Sequence, residues 1–138
     1  MAASFSRYLE SAILSALFRG NALSAPINTY LALYTGDPEV SANELTSINS
    51  LGYARVVVAQ ASWAVPVVDA QGTQITTSAV LEFPGATADW AGPLTHFGIL
   101  DASSNGNLLF AAALDAPRTV IAGDMLRFSA GALTVRLN

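Results

Sequence analysis

His96 is the only histidine in the chain, and its imidazole is the side chain best suited to serve as a catalytic base. Asp89 and Asp101 lie near it in sequence, so the residue types of a Ser-His-Asp hydrolase are present. No serine lies in the glycine-flanked pattern of a nucleophile elbow. We therefore interpret His96 as a strand residue that hydrogen-bonds to a neighbouring backbone group or carboxylate. We predict no catalytic residue and no enzymatic activity.

Side chains that bind metals and cofactors are scarce. The chain contains neither cysteine nor lysine, which excludes disulfides, thiolate zinc sites, thiol nucleophiles and Schiff bases. Neither GxxxxGK[ST] nor GxGxxG occurs, so both phosphate-binding loops are missing. We predict no cofactor and no metal site.

Acidic residues offer the remaining chemistry, because two facing carboxylates would suffice for a glycoside hydrolase. Five of the ten, however, occupy predicted turns, where aspartate is favoured because its side chain accepts hydrogen bonds from nearby backbone N–H groups. We interpret these residues as turn formers: Asp37, Asp69, Asp101, Asp115 and Asp124.

The composition points away from nucleic acid and membrane and towards other protein chains. Charged residues make up 12% of the sequence and hydrophobic residues 52%, against roughly 25% charged residues in typical soluble domains. The arginines are scattered, which argues against binding to phosphate backbones. No run approaches the roughly 18 apolar residues of a membrane-spanning helix. We expect the surplus apolar surface to contact copies of the chain, as a dimer or trimer, or a larger assembly.

Residues 1–20 are predicted to form a short arm followed by an amphipathic helix. The apolar residues that share one side of a 3.6-residue period are Phe5, Leu9, Ala12, Ile13, Ala16 and Leu17. Ser4 or Ser6 is placed to cap the start, and Gly20 to end the helix in a left-handed conformation. A helix this short needs a docking partner to be stable.

Residues 27–138 carry a period of two and frequent turn signals, which predict β-strands. Pro66 predicts an edge strand or bulge, and Asn105-Gly106 predicts a hairpin turn. The fold class is therefore mainly β: one domain over 1–138, an antiparallel β-sandwich or barrel of about seven to eight strands with an N-terminal α-helix. The predicted strands are Ile27–Tyr34, Tyr53–Gln60, Ser62–Val68, Thr73–Phe83, Leu94–Asp101, Leu108–Leu114, Met125–Ser129 and Ala132–Leu137.

Aromatic side chains are the candidate contacts to a partner. Trp90 lies in a loop rich in glycine and alanine, where it serves either as an anchor for a partner chain or as a plug at one end of the barrel. Trp63 is predicted to be in the core. The predicted interface residues are Phe5, Tyr8, Tyr30, Tyr34 and Trp90.

Taken together, several motifs resemble a family of small virion proteins of tailed bacteriophages, whose members are labelled tail fibre or capsid decoration (cement) proteins. The resemblance covers nearly the whole chain. It rests on Tyr8-Leu9-Glu10, Tyr30-Leu31-Ala32-Leu33-Tyr34-Thr35-Gly36-Asp37-Pro38, Gly52-Tyr53-Ala54-Arg55, Ala86-Thr87-Ala88-Asp89-Trp90, Thr95-His96-Phe97-Gly98-Ile99-Leu100-Asp101 and Ala122-Gly123-Asp124.

This resemblance implies a non-enzymatic structural protein of the phage particle, assembled in the host cytoplasm. We expect a decoration protein on the capsid exterior that binds the major capsid protein and stabilises the head. The alternative is a tail or tail-fibre component that contacts the host surface.

Overall fold

We describe the protein from a computed structural model, which covers residues 4–41 and 43–137. The helix α1 spans Arg7–Arg19. The Ser6 side chain caps it by accepting a hydrogen bond from the backbone N–H of Leu9 at 3.1 Å, and Gly20 ends it with φ of 73°. The predicted helix, its cap and its stop are confirmed, whereas the predicted arm before residue 4 lies outside the described residues.

The remainder of the described chain is mainly antiparallel β-structure, as predicted. In chain order the strands are β1 (Ser4–Phe5), β2 (Asn28–Tyr34), β3 (Val56–Ala59), β4 (Val67–Asp69), β5 (Gly72–Thr76), β6 (Leu81–Glu82), β7 (Leu94–Leu100), β8 (Leu108–Arg118), β9 (Arg127–Phe128) and β10 (Thr134–Leu137). A 3-10 turn, Gln60–Ser62, follows β3.

The strands form three sheets. A five-stranded sheet has the order β1-β8-β7-β2-β3, a three-stranded sheet has the order β10-β5-β4, and β6 pairs with β9. No sheet closes into a barrel within the described ranges, so the structure has separate sheets packed on a shared core. The division into one domain over 1–138 stays a prediction.

The main core lies between the sheets because alternate residues of the long strands point inwards. Leu31 and Leu33 of β2 are completely buried there, together with Phe83. The opposite face of β2 is also covered, since Ala32 and Tyr34 pack with Leu100 in a second, smaller cluster. This double burial explains why both halves of the alternating pattern in β2 are apolar.

Two predictions for the second half of the chain are wrong, one of a continuous strand and one of a hairpin. The predicted strand Thr73–Phe83 is divided into β5 and β6. Thr77, directly after β5, bonds backbone groups of Gly131 and Leu133. The predicted hairpin of Met125–Ser129 with Ala132–Leu137 does not form. Instead β9 pairs with β6, and β10 pairs with β5.

Predictions that rest on turn-forming residues agree better with the structure than these strand pairings do. Asn105 and Gly106 both have positive φ, 53° and 74°, which confirms the predicted hairpin turn between β7 and β8. Pro66 immediately precedes β4, an edge strand of its sheet, as its missing N–H requires. The predicted strand Ser62–Val68 is reduced to β4 and one bridge at Trp63, and the residues 64–66 between them belong to no strand.

Candidate interaction surface

The five aromatic residues predicted to contact a partner do not lie together on one surface. Tyr8 is 47% exposed, whereas Tyr34 and Trp90 are only 4% and 5% exposed. Phe5 and Tyr30 are half-buried, and the Phe5 ring packs edge-on against the Phe110 ring at 6.2 Å. A buried ring is not available to a partner, so Tyr8 is the member of this set with the most accessible side chain. The interface itself stays a prediction.

Trp90 is buried in the main core, although no sheet of the described chain closes into the barrel whose end it was predicted to plug. Its ring meets the Tyr53 ring edge-on at 5.7 Å and the Phe83 ring at 6.5 Å. Its indole N–H donates to the carbonyl oxygen of Leu51 at 2.8 Å. Both the apolar body and the polar tip of the side chain are therefore satisfied inside the protein.

The helix α1, unlike Trp90, has an apolar side that is exposed to solvent. None of its residues is fully buried, and the side that faces strand β8 carries the half-buried Leu9, Ala12, Ile13 and Ala16. On the other side, Leu14, Leu17 and Phe18 are 57%, 72% and 80% exposed. We call these three residues the apolar helix face.

The sequence analysis predicted one apolar stripe on the helix, whereas the helix is apolar on two sides. The apolar helix face was therefore not predicted. The predicted stripe placed Leu17 towards the protein, whereas the structure places it in solvent. The spacing of Leu14, Leu17 and Phe18 at i, i+3 and i+4 was the signal that predicts this second stripe. Leu23 and Ile27, in the segment after the helix, extend the exposed apolar surface.

A second exposed apolar patch lies at the edge strand β4. Val65, Val67 and Val68 are 82%, 55% and 77% exposed, and the whole of β4 is accessible to solvent. The patch is flanked by the ion pair of Asp69 with Arg136, at 2.8 Å. The charge-assisted hydrogen bonds from Arg136 lower the pKa of Asp69.

A polar cleft of about 550 Å³ lies between the loop that follows β2 and the turn between β7 and β8. Glu44 and Arg55 form its base as a bidentate pair, with two N–O distances of 2.7 Å. The hydroxyl of Tyr53 donates to the same carboxylate at 2.9 Å. Burial, followed by the charge of Glu44, raises the pKa of both Tyr34 and Tyr53, so both phenols stay protonated at neutral pH.

The histidine and the aspartates considered for catalysis form hydrogen bonds with residues close to them in sequence. The prediction that His96 bonds a backbone group or a carboxylate is wrong: Nδ1 lies 2.8 Å from the hydroxyl Oγ1 of Thr95, and Nε2 is buried without a hydrogen-bond partner among the described residues. Four of the five aspartates predicted to form turns accept backbone N–H bonds within their own turns: Asp37, Asp69, Asp101 and Asp124. The prediction for Asp115 is wrong, because this residue lies within strand β8. Over residues 4–41 and 43–137, no group of three or more His, Asp or Glu side chains lies close enough to hold a metal ion.

Searched over the same part of the chain, no helix has the length and apolar character needed to cross a bilayer. Comparison with curated proteins gives no match. A family model described as "Podophage GP4 fiber I protein gp80" matches residues 4–136.

Proposed function

The chain belongs to the Podophage GP4 fiber I protein gp80 family, and from that premise we propose that it is a capsid decoration protein without catalytic activity. Membership of the family identifies it as a structural protein of a phage virion. The finer assignment is that it binds the outside of the head, attaches to the major capsid protein and holds neighbouring capsid subunits together.

The observation that carries this proposal is the apolar helix face. Leu14, Leu17 and Phe18 are each more than half exposed, on the side of the helix that faces away from strand β8. Exposed apolar groups in a contiguous arrangement are typical of surfaces that another protein covers. A virion protein has such neighbours in the particle, in capsid subunits or in further copies of the chain.

Low charge supports the same assignment. With charged residues at 12% of the sequence, the protein lacks the density of charge that keeps surfaces apart in solution. A protein that binds only the assembled shell stabilises that shell by mass action, since it must dissociate before the capsid subunits can separate. Self-association as a dimer or trimer would bury further apolar surface.

The copy number in purified particles tests this proposal. Quantitative mass spectrometry against the major capsid protein is expected to give comparable numbers of the two chains. Particles without the protein are expected to release their DNA at a lower temperature than complete particles do. A few copies per particle, or unchanged thermal release of DNA, would contradict the decoration role.

The second candidate is a tail-fibre component, and it is favoured by the match to a family described as a fibre protein. In that case particles without the protein would keep their thermal stability but fail to adsorb to host cells. Adsorption and DNA release therefore separate the two candidates in one set of particles.

A further inference from the structure

The polar cleft is held open by a single arginine. Nη1 of Arg55 donates to the carbonyl oxygens of Ala102 and Asn105, at 2.7 and 2.9 Å, on the side of the turn between β7 and β8. Nε and Nη2 of the same guanidinium bind Glu44, on the side of the loop after β2. Because one rigid planar group binds both walls, the cleft is preorganised before any ligand arrives.

The charges at the base of the cleft are already used. The guanidinium bonds two carbonyls and one carboxylate, and Glu44 accepts bonds from both Arg55 and Tyr53. The side chain of Arg55 is only 8% exposed. The cleft therefore offers no free charge for a phosphate, carboxylate or ammonium group.

The rim, in contrast, is lined by polar groups with unused hydrogen-bonding capacity. The hydroxyls of Ser47, Ser103 and Ser104 line the cleft, and no described residue forms a side-chain hydrogen bond with them. The side-chain amide of Asn105 and the hydroxyl of Tyr34 also line it and are equally free within the described ranges. Each of these groups both donates and accepts.

Apolar surface alternates with these groups. Pro38, Leu100 and Leu108 also line the cleft, and its volume of about 550 Å³ falls in the range of about 300–1,000 Å³ found for small-ligand sites. A ligand that fits this lining carries several hydroxyls, exposes C–H surface between them and has no net charge.

We propose that the polar cleft binds a neutral saccharide, through the free hydroxyls and amide of its rim and the apolar groups that line it between them. This site is separate from the apolar helix face and is independent of whether the protein sits on the head or on the tail. On either part of the virion, it would let the particle hold a glycan.

The test is an NMR titration of the isotope-labelled full chain with neutral sugars: glucose, galactose, mannose, rhamnose, N-acetylglucosamine and N-acetylgalactosamine. We expect at least one of them to give saturable chemical-shift changes concentrated at Ser47, Ser103 and Asn105, with an affinity insensitive to salt. Glucuronic acid, the charged counterpart of glucose, is expected to bind no more tightly than glucose does.

A double variant, Ser47→Ala with Ser103→Ala, removes two rim hydroxyls that form no side-chain hydrogen bond with residues 4–41 or 43–137. Each lost hydrogen bond is expected to weaken binding about two- to tenfold. The exposed Ser129→Ala is the matched control and should bind as the wild type does. Ser104→Trp, which fills the cleft, should abolish binding while leaving the spectrum folded.

Three results would overturn the proposal: no saturable shift at the cleft with any of these neutral sugars, binding that requires a charged sugar, or equal binding by the wild type and the double variant. None of them bears on the decoration role, because that role is decided by copy number and DNA release. The two proposals therefore fail separately.

Discussion

Replacing the apolar helix face should uncouple binding to the particle from folding. The triple variant Leu14→Gln, Leu17→Gln and Phe18→Gln removes the exposed apolar groups. Glutamine keeps the helical propensity close to that of leucine, so the helix itself should persist. Because these side chains are already mostly in solvent, the free energy of unfolding should change by less than about 1 kcal/mol.

The effect on binding should be much larger, and its size follows from the exposed fractions. Full burial of a Leu or Phe side chain contributes about 1.5–3 kcal/mol, and 57%, 72% and 80% of these three side chains remain to be buried. If the partner covers them completely, their removal costs about 3–6 kcal/mol. That corresponds to an affinity lower by roughly two to four orders of magnitude.

The assay is co-sedimentation of the purified protein with particles that lack it, combined with urea unfolding followed by circular dichroism. A matched control replaces Val65, Val67 and Val68 with threonine, which removes an equally exposed apolar patch from the edge strand β4. The control is expected to bind as the wild type does. If the glutamine variant binds normally, or if the valine control loses binding, the reasoning about the helix is refuted.

Three further predictions concern the fold itself. Thr77→Val removes a buried hydroxyl that has no partner within the described ranges, so urea titration should show a gain of about 1 kcal/mol in the free energy of unfolding; a loss would mean that this hydroxyl is bonded. Gly52→Ala places a Cβ 2.4 Å from a backbone carbonyl oxygen at φ of 92° and should cost more than about 2 kcal/mol. Gly123→Ala, at φ of 88° but with open space around it, should cost less, and equal losses would exclude the clash as the cause. Because the pKa of Tyr34 and Tyr53 is raised in the folded protein, the unfolded chain loses these protons first, and the stability present below pH 10 should fall by about 1.4 kcal/mol per pH unit for each tyrosine above it. Tyr34→Phe should remove half of that slope, and a slope unaltered by the substitution would assign it to other groups.

Elements fixed by neighbouring residues were predicted well from the sequence. The helix depends on Ser6 and Gly20 at its two ends, and the turn between β7 and β8 depends on Asn105 and Gly106. In each case the decisive interaction lies within a few residues, so spacing alone is enough to indicate it.

Elements that depend on distant partners were not predicted. Thr77, at the point where the predicted strand divides, bonds Gly131 and Leu133, more than fifty residues along the chain. Strand β6, beyond the division, pairs with the equally distant β9. Periodicity marks a segment as extended but does not name the segment with which it pairs, so the split strand and the false hairpin have one cause.

The candidate sites show the same limit. The sequence singled out Trp90 but left open whether it was an anchor or core, because burial depends on the rings of Tyr53 and Phe83. The ion pair of Glu44 with Arg55 was not predicted, since the two residues are separated in sequence and neither belongs to a motif with a known mechanism. Only the packing of the loop after β2 against the turn between β7 and β8 makes them the base of a cleft.

The position of the protein in an intact particle is the most direct test of the account. Cryo-electron microscopy of the virion is expected to show the chain on the outer surface of the head, with Leu14, Leu17 and Phe18 in contact with a neighbouring protein. The account is contradicted if the chain is found only at the tail, or if the apolar helix face points into solvent in the assembled particle.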